Sequence, residues 1–173
     1  TRGFMSTGNP LGSNRYNDHT SMGQKLTGTF TADINFTDFL KFNATSTLDW
    51  GHTNTSDYQT ALYGPKVSVN GEVTKSQSDA IRQNHVQTMT YFDSFGKHNL
   101  TVMAGHEYYY TKTTYLDAYA NGIFTPEIPE LNASAKVQNG SSYISEYNVE
   151  GFFGNAQYNY DEKYFASASY RRD

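Results

Sequence analysis

Leu26-Thr27-Gly28-Thr29-Phe30-Thr31-Ala32-Asp33-Ile34-Asn35-Phe36 alternates without a break. Its even positions are Leu, Gly, Phe, Ala, Ile and Phe; its odd positions are Thr, Thr, Thr, Asp and Asn. Successive side chains of a strand point to opposite faces, so this segment reads as one strand with an apolar and a polar side. A helix would instead repeat its apolar residues at spacings of three and four. After Thr37-Asp38-Phe39 the alternation resumes. Leu40, Phe42, Ala44, Leu48 and Trp50 share one face, with Lys41, Asn43, Thr45, Thr47 and Asp49 on the other. So short a connection predicts an antiparallel hairpin, approximately over 24–52.

The unit recurs twice. A strand near His85–Ser94 turns at Phe95-Gly96-Lys97-His98-Asn99 into one that begins at Leu100, giving a hairpin at approximately 84–112. Phe152–Tyr158 turns at Tyr160-Asp161-Glu162-Lys163 into Tyr164–Tyr170, giving another at approximately 147–173. The third and fifth strands alternate least cleanly, and a bulge is expected beside Gly151. Polar segments at approximately 53–80 and 113–146 separate the hairpins and hold Pro65, Pro126 and Pro129, while Pro10 lies in the polar N-terminal stretch. No proline falls within an expected strand, where it would remove a ladder donor. Structureless loops this long are uncommon in compact domains. Short turns at one end of a sheet and long loops at the other are the asymmetry of outer-membrane barrels, whose long loops are extracellular. The fold class expected is therefore all-β: antiparallel up-and-down strands, about six of them, forming part of a large transmembrane β-barrel.

Composition agrees. Of 173 residues, 16% are aromatic (15 Tyr, 11 Phe, one Trp) and only 17% are charged, against about 25% in a typical soluble domain. Mean hydropathy is nonetheless −0.71. Few charges, many hydroxyl and amide side chains and few aliphatics suit a wall between water and lipid. The net charge of −4 argues against a nucleic-acid footprint, since no basic stripe is available to neutralise phosphates. The absence of Cys excludes disulfides, thiolate catalysis and Cys-based metal sites. No apolar run reaches the length of a transmembrane helix, although barrel strands need only about 9–11 residues. The start at Thr1-Arg2-Gly3-Phe4 and the end in mid-pattern at Asp173 predict a piece of a longer chain.

Three stretches carry a family resemblance. Gly151-Phe152-Phe153-Gly154-Asn155-Ala156-Gln157-Tyr158-Asn159-Tyr160-Asp161-Glu162-Lys163-Tyr164, continued by Ala166-Ser167-Ala168-Ser169-Tyr170-Arg171-Arg172-Asp173, resembles a stretch of SusC/RagA-type TonB-dependent transporters of Bacteroidetes. Asn155 stands where that family often has Arg, and the chain ends before the family's Gly-Ser-Ser. Phe95-Gly96-Lys97-His98-Asn99-Leu100 through Tyr108 is similar to a second hairpin of the family, and Phe39-Leu40-Lys41-Phe42-Asn43 to a third. The resemblance implies a 22-stranded barrel with a plugged lumen, energised through TonB and capped by a SusD-like surface lipoprotein. It implies import of oligosaccharides or peptides across the bacterial outer membrane. Plug and TonB box would lie outside this chain.

No enzymatic constellation is present. His19, His52, His85, His98 and His106 lack paired ligand spacing, and neither a phosphate loop nor a Gly-x-Ser-x-Gly elbow occurs. Adjacent strand residues diverge, so His106 and Glu107 cannot serve one site. Six Asn-x-Ser/Thr sequons follow from composition. No catalytic residue, metal or cofactor is expected. If the even face meets lipid, Asp33, Asn35, Lys41, Asn43 and Asp49 face the lumen. Trp50, Tyr108, Tyr110, Tyr158, Tyr164 and Tyr170 are candidates for an aromatic girdle, because amphipathic rings favour the membrane boundary. Expected partners are the SusD-like lipoprotein, TonB, outer-membrane lipid and a glycan or peptide, with no nucleic acid. The alternatives are a soluble carbohydrate-binding β-sandwich, which needs an aliphatic core between two sheets, and a passive porin segment.

Overall fold

The computed structural model describes residues 10–173; Thr1-Arg2-Gly3-Phe4, read above as a truncated start, lies outside them. A short helix α1 (Pro10–Tyr16) precedes β1 (Asp18–Asn35), β2 (Leu40–Gln59), β3 (Glu72–Phe95), β4 (His98–Ile123), β5 (Ser134–Tyr160) and β6 (Tyr164–Arg172). The six strands form one up-and-down sheet in the order β1-β2-β3-β4-β5-β6. No second sheet faces it among the described residues, so the two facing layers of a sandwich are not there. Phe30 is 70% exposed and Leu48 46%; they pack into no dry centre.

The three short turns fall where the sequence puts them. Between β1 and β2 the Phe36 N–H donates to the Leu40 carbonyl at 3.0 Å. Gly96, at φ 65°, takes the left-handed conformation that a two-residue connection between β3 and β4 demands. At the β5–β6 turn Asp161 and Glu162 are both left-handed, at φ 51° and 53°. The Asn159 side-chain oxygen accepts the Glu162 N–H at 2.9 Å, supporting that strained pair.

The segments expected as long loops are mostly strand. β2 continues to Gln59, β3 starts at Glu72, β4 continues to Ile123 and β5 starts at Ser134, leaving only 60–71 and 124–133 as connections. The hairpins outlined at 24–52, 84–112 and 147–173 are therefore the inner parts of longer ones. Where both faces of a strand are polar, as along Thr53-Asn54-Thr55-Ser56, alternation vanishes although the backbone ladder continues. β5 runs continuously past Gly151, and from Phe152 its pairing with β6 keeps one register to Tyr160↔Tyr164.

Contacts sort into two units, one of residues up to 25 with 51–79 and 113–145, the other of 26–50, 80–112 and 146–173. In the first, Tyr58, Val73, Ala120 and Ile123 are buried and Leu131 packs on them. Gly71, at φ 81°, lies against the Gln59 and Ala61 backbone, leaving no room for a side chain. The second carries the three short turns and no buried hydrophobic side chain among the described residues. Its strands hold together through ladders and cross-strand pairs, each worth about 0.2–1 kcal/mol.

Candidate functional site

The surfaces that could act are the two faces of the second unit. Cross-strand contacts identify which residues share each. On the polar face Thr27 donates to Asp49 at 2.5 Å, Thr29 meets Thr47 at 3.2 Å, and the Asn43 amide donates to Asp33 at 2.5 Å. The Lys41 ammonium lies 4.9 Å from the Phe92 ring centroid, so this face takes odd positions on β1 and β2 but even ones on β3. The expected lumen residues Asp33, Asn35, Lys41, Asn43 and Asp49 all fall on it. Four of them are tied to neighbouring strands, which fixes their rotamers at no large gain, since exposed polar pairs contribute little.

The opposite face takes Leu26, Phe30 and Ile34 from β1, Leu40, Phe42, Leu48 and Trp50 from β2, and Leu100, Val102 and Ala104 from β4. All six girdle candidates lie on it. Tyr158 and Tyr164 belong to a ring cluster at the short turns, where His98 stands 5.6 Å from Phe95, 5.9 Å from Tyr158 and 5.0 Å from Tyr160. Tyr160 stands 6.4 Å from Tyr164. Trp50, Tyr108 and Tyr110 form a second level. Tyr170, opposite Gly154, lies between the levels and joins neither. Ten residue steps separate His98 from Tyr108 on β4, about 33 Å of strand at about 3.3 Å each. At a barrel tilt of roughly 35–45° that spans about 23–27 Å, the height of an outer-membrane apolar band of about 25 Å.

Just inside Tyr108 the apolar face carries a polar row. His106 Nδ1 lies 2.8 Å from Gln87 Oε1 and its Nε2 2.9 Å from Glu150 Oε1, while Ser46 bonds His85 at 2.8 Å. Glu107, next in sequence, projects the other way and accepts from the Arg171 guanidinium at 3.0 Å. Each remaining histidine makes a cross-strand bond: His19 to Asp57 at 3.2 Å, His52 to Asp79 at 2.6 Å and His98 to Tyr158 at 2.6 Å. Among the described residues no group of three His, Asp or Glu could hold a metal ion.

Two arrangements on the polar face escape sequence reading. Gly105 has no Cβ because the Phe153 ring occupies that space. Gly151 lets Arg171 cross β5: a Cβ there would meet the Asp173 carboxylate and the guanidinium. Arg171 thus reaches Glu107 two strands away, holds Asp173 at 2.8 Å and lies 5.8 Å from the Phe153 ring centroid. Glycines flanked by aromatic and ionic residues were the available signal, but only the register says which side chain fills which gap.

Outside the strands the titrations are local. Lys163 and Lys97, 2.8 and 3.1 Å from Asp161, hold its carboxyl below the usual aspartate range. The Thr125 hydroxyl and a backbone N–H do the same for Glu127. No helix among the described residues is long and apolar enough to cross a membrane.

No protein-family model matches this chain. It is 28% identical over 149 residues to TonB-dependent receptor P3 of Formosa agariphila, covering 83% of this chain and 15% of that protein. The RagAB peptide importer in its closed-closed state superposes with a TM-score of 0.83 at 21% identity over 91% of this chain. Its open-open state gives 0.84 at 22% over 94%, and a further RagAB peptide transporter structure 0.85 at 21% over 94%. This chain spans 15% of the curated relative and 18% of each solved chain. These relatives bear out the SusC/RagA resemblance: six up-and-down strands have the fold of a wall segment from that type of TonB-dependent transporter. By name they are a receptor and importers.

Proposed function

We propose that this chain is part of the wall of an energised outer-membrane importer, with the polar face lining the lumen and the apolar face against lipid. The observation that carries the reading is the separation of faces on a single uncovered layer. Leu40, Phe42, Leu48, Val102 and Ala104 share one side, and Asp33, Lys41, Asn43, Asp49 and Glu107 the other. In water such a layer would aggregate through its apolar side and its two free edges; in a closed barrel both are satisfied. The 22-stranded size, the plug, the drive through TonB and the SusD-like lid come with the resemblance. The RagAB neighbours, named as peptide importers, support a peptide cargo, and an oligosaccharide cargo comes with the resemblance.

Cysteine scanning tests the reading, because this stretch has no native Cys. In the intact protein in cells, Cys at Thr101 and Met103 should react with a water-soluble maleimide, and Cys at Val102 and Ala104 only with a lipid-soluble one. Equal labelling of both sets by the water-soluble reagent would sink the proposal.

A further inference from the structure

Among the described residues, the polar face of the second unit has one cation with nothing to hold. Lys41 lies over Phe92 and Arg171 is shared between Glu107 and Asp173. Arg82 on β3 is exposed and has no partner among the described residues. Asp49, level with it on β2, bonds Thr27 on β1. The His85–Tyr108 ring stack, centroids 6.2 Å apart, fixes the antiparallel register of β3 and β4. It sets Asn84 level with Tyr109 and Arg82 level with Thr111, all on the polar face. Tyr109 meets Tyr147 of β5 edge-on, centroids 6.4 Å apart and planes at 60°, and Tyr147 is 57% exposed.

We infer that Arg82, Tyr109 and Tyr147 form a subsite for a sugar ring bearing a carboxylate or sulfate. The inference rests on the importer reading, which makes this face the lumen. Each feature calls for one part of such a ligand. The guanidinium fork matches two oxygens of a carboxylate or sulfate. The exposed tyrosine face suits the C–H side of a pyranose. An acidic peptide would satisfy Arg82 but brings no flat C–H surface for Tyr147.

The test is calorimetric titration of the intact, detergent-purified transporter with four probes of matched length: oligogalacturonate, its methyl ester, a sulfated galactan oligosaccharide and an oligoglutamate peptide. At least one charged saccharide should bind about tenfold more tightly than the neutral ester, and which one does so distinguishes uronate from sulfate. Arg82→Gln should erase that preference. Tyr147→Ala should weaken saccharide binding about tenfold whatever its charge, with Tyr147→Phe restoring it. The subsite is overturned if neither charged saccharide beats the ester, if Arg82→Gln keeps the preference, or if oligoglutamate binds as tightly as either. Heat-modifiable gel migration of every variant separates the two failures. A protein that migrates as a barrel but shows no charge preference refutes the subsite alone; one that never does refutes the importer reading as well.

Discussion

Replacing Val102 by Arg tests the assignment of faces by energy. Val102 lies four residues beyond His98 and six short of Tyr108 on β4, between the two aromatic levels. Four steps at about 3.3 Å are about 13 Å of strand, or about 10 Å of depth at the tilts used above, close to the middle of a band about 25 Å tall. An Arg facing lipid at that depth costs about 2–4 kcal/mol, which shifts the folding equilibrium roughly 25- to 700-fold at about 1.4 kcal/mol per factor of ten. Thr101, one residue earlier, points to the wet side, so Thr101→Arg should cost under about 1 kcal/mol. The assay is reversible guanidinium unfolding of the intact protein in phospholipid vesicles, followed by tryptophan fluorescence. A Thr101→Arg penalty equal to or larger than that of Val102→Arg would refute the reasoning, whatever the absolute values.

Gly105→Val should cost about 1–3 kcal/mol by overpacking, because its side chain must enter the space of the Phe153 ring; a lowered unfolding midpoint with an unchanged denaturant slope checks this. Gly151→Ala should push Arg171 away from Glu107, so Glu107→Gln should shift the midpoint in the native background and not in the Gly151→Ala one. The Asp161 carboxyl is held low by Lys163 and Lys97. Its contribution to stability is therefore fully present above the ordinary aspartate value of 3.8 and is lost as pH falls through its lowered pKa. Asp161→Asn should flatten that acid limb of an unfolding-midpoint profile and leave the neutral limb parallel to the native one.

The sequence by itself determined the strands of the second unit, their three turns and the division of side chains between two faces. Period-two alternation survives wherever the faces meet different surroundings, as in Leu26–Phe36 and Leu40–Trp50. Gly96 and Asp161 mark turns because glycine and aspartate tolerate a left-handed backbone better than most residues, and Glu162 is held there by the Asn159 side chain. All five lumen candidates and all six girdle candidates were separable by parity alone. Only the tertiary structure decided the rest. It extended β2 to β5 through polar segments, because a backbone ladder needs no contrast between faces. It reversed the parity of β3 relative to β2, since each connection resets the register. It brought Arg171 to Glu107 across Gly151, and Arg82 and Asn84 to the level of Tyr109 and Tyr147. Such neighbours are set by the pairing of strands far apart in sequence, which no local pattern encodes.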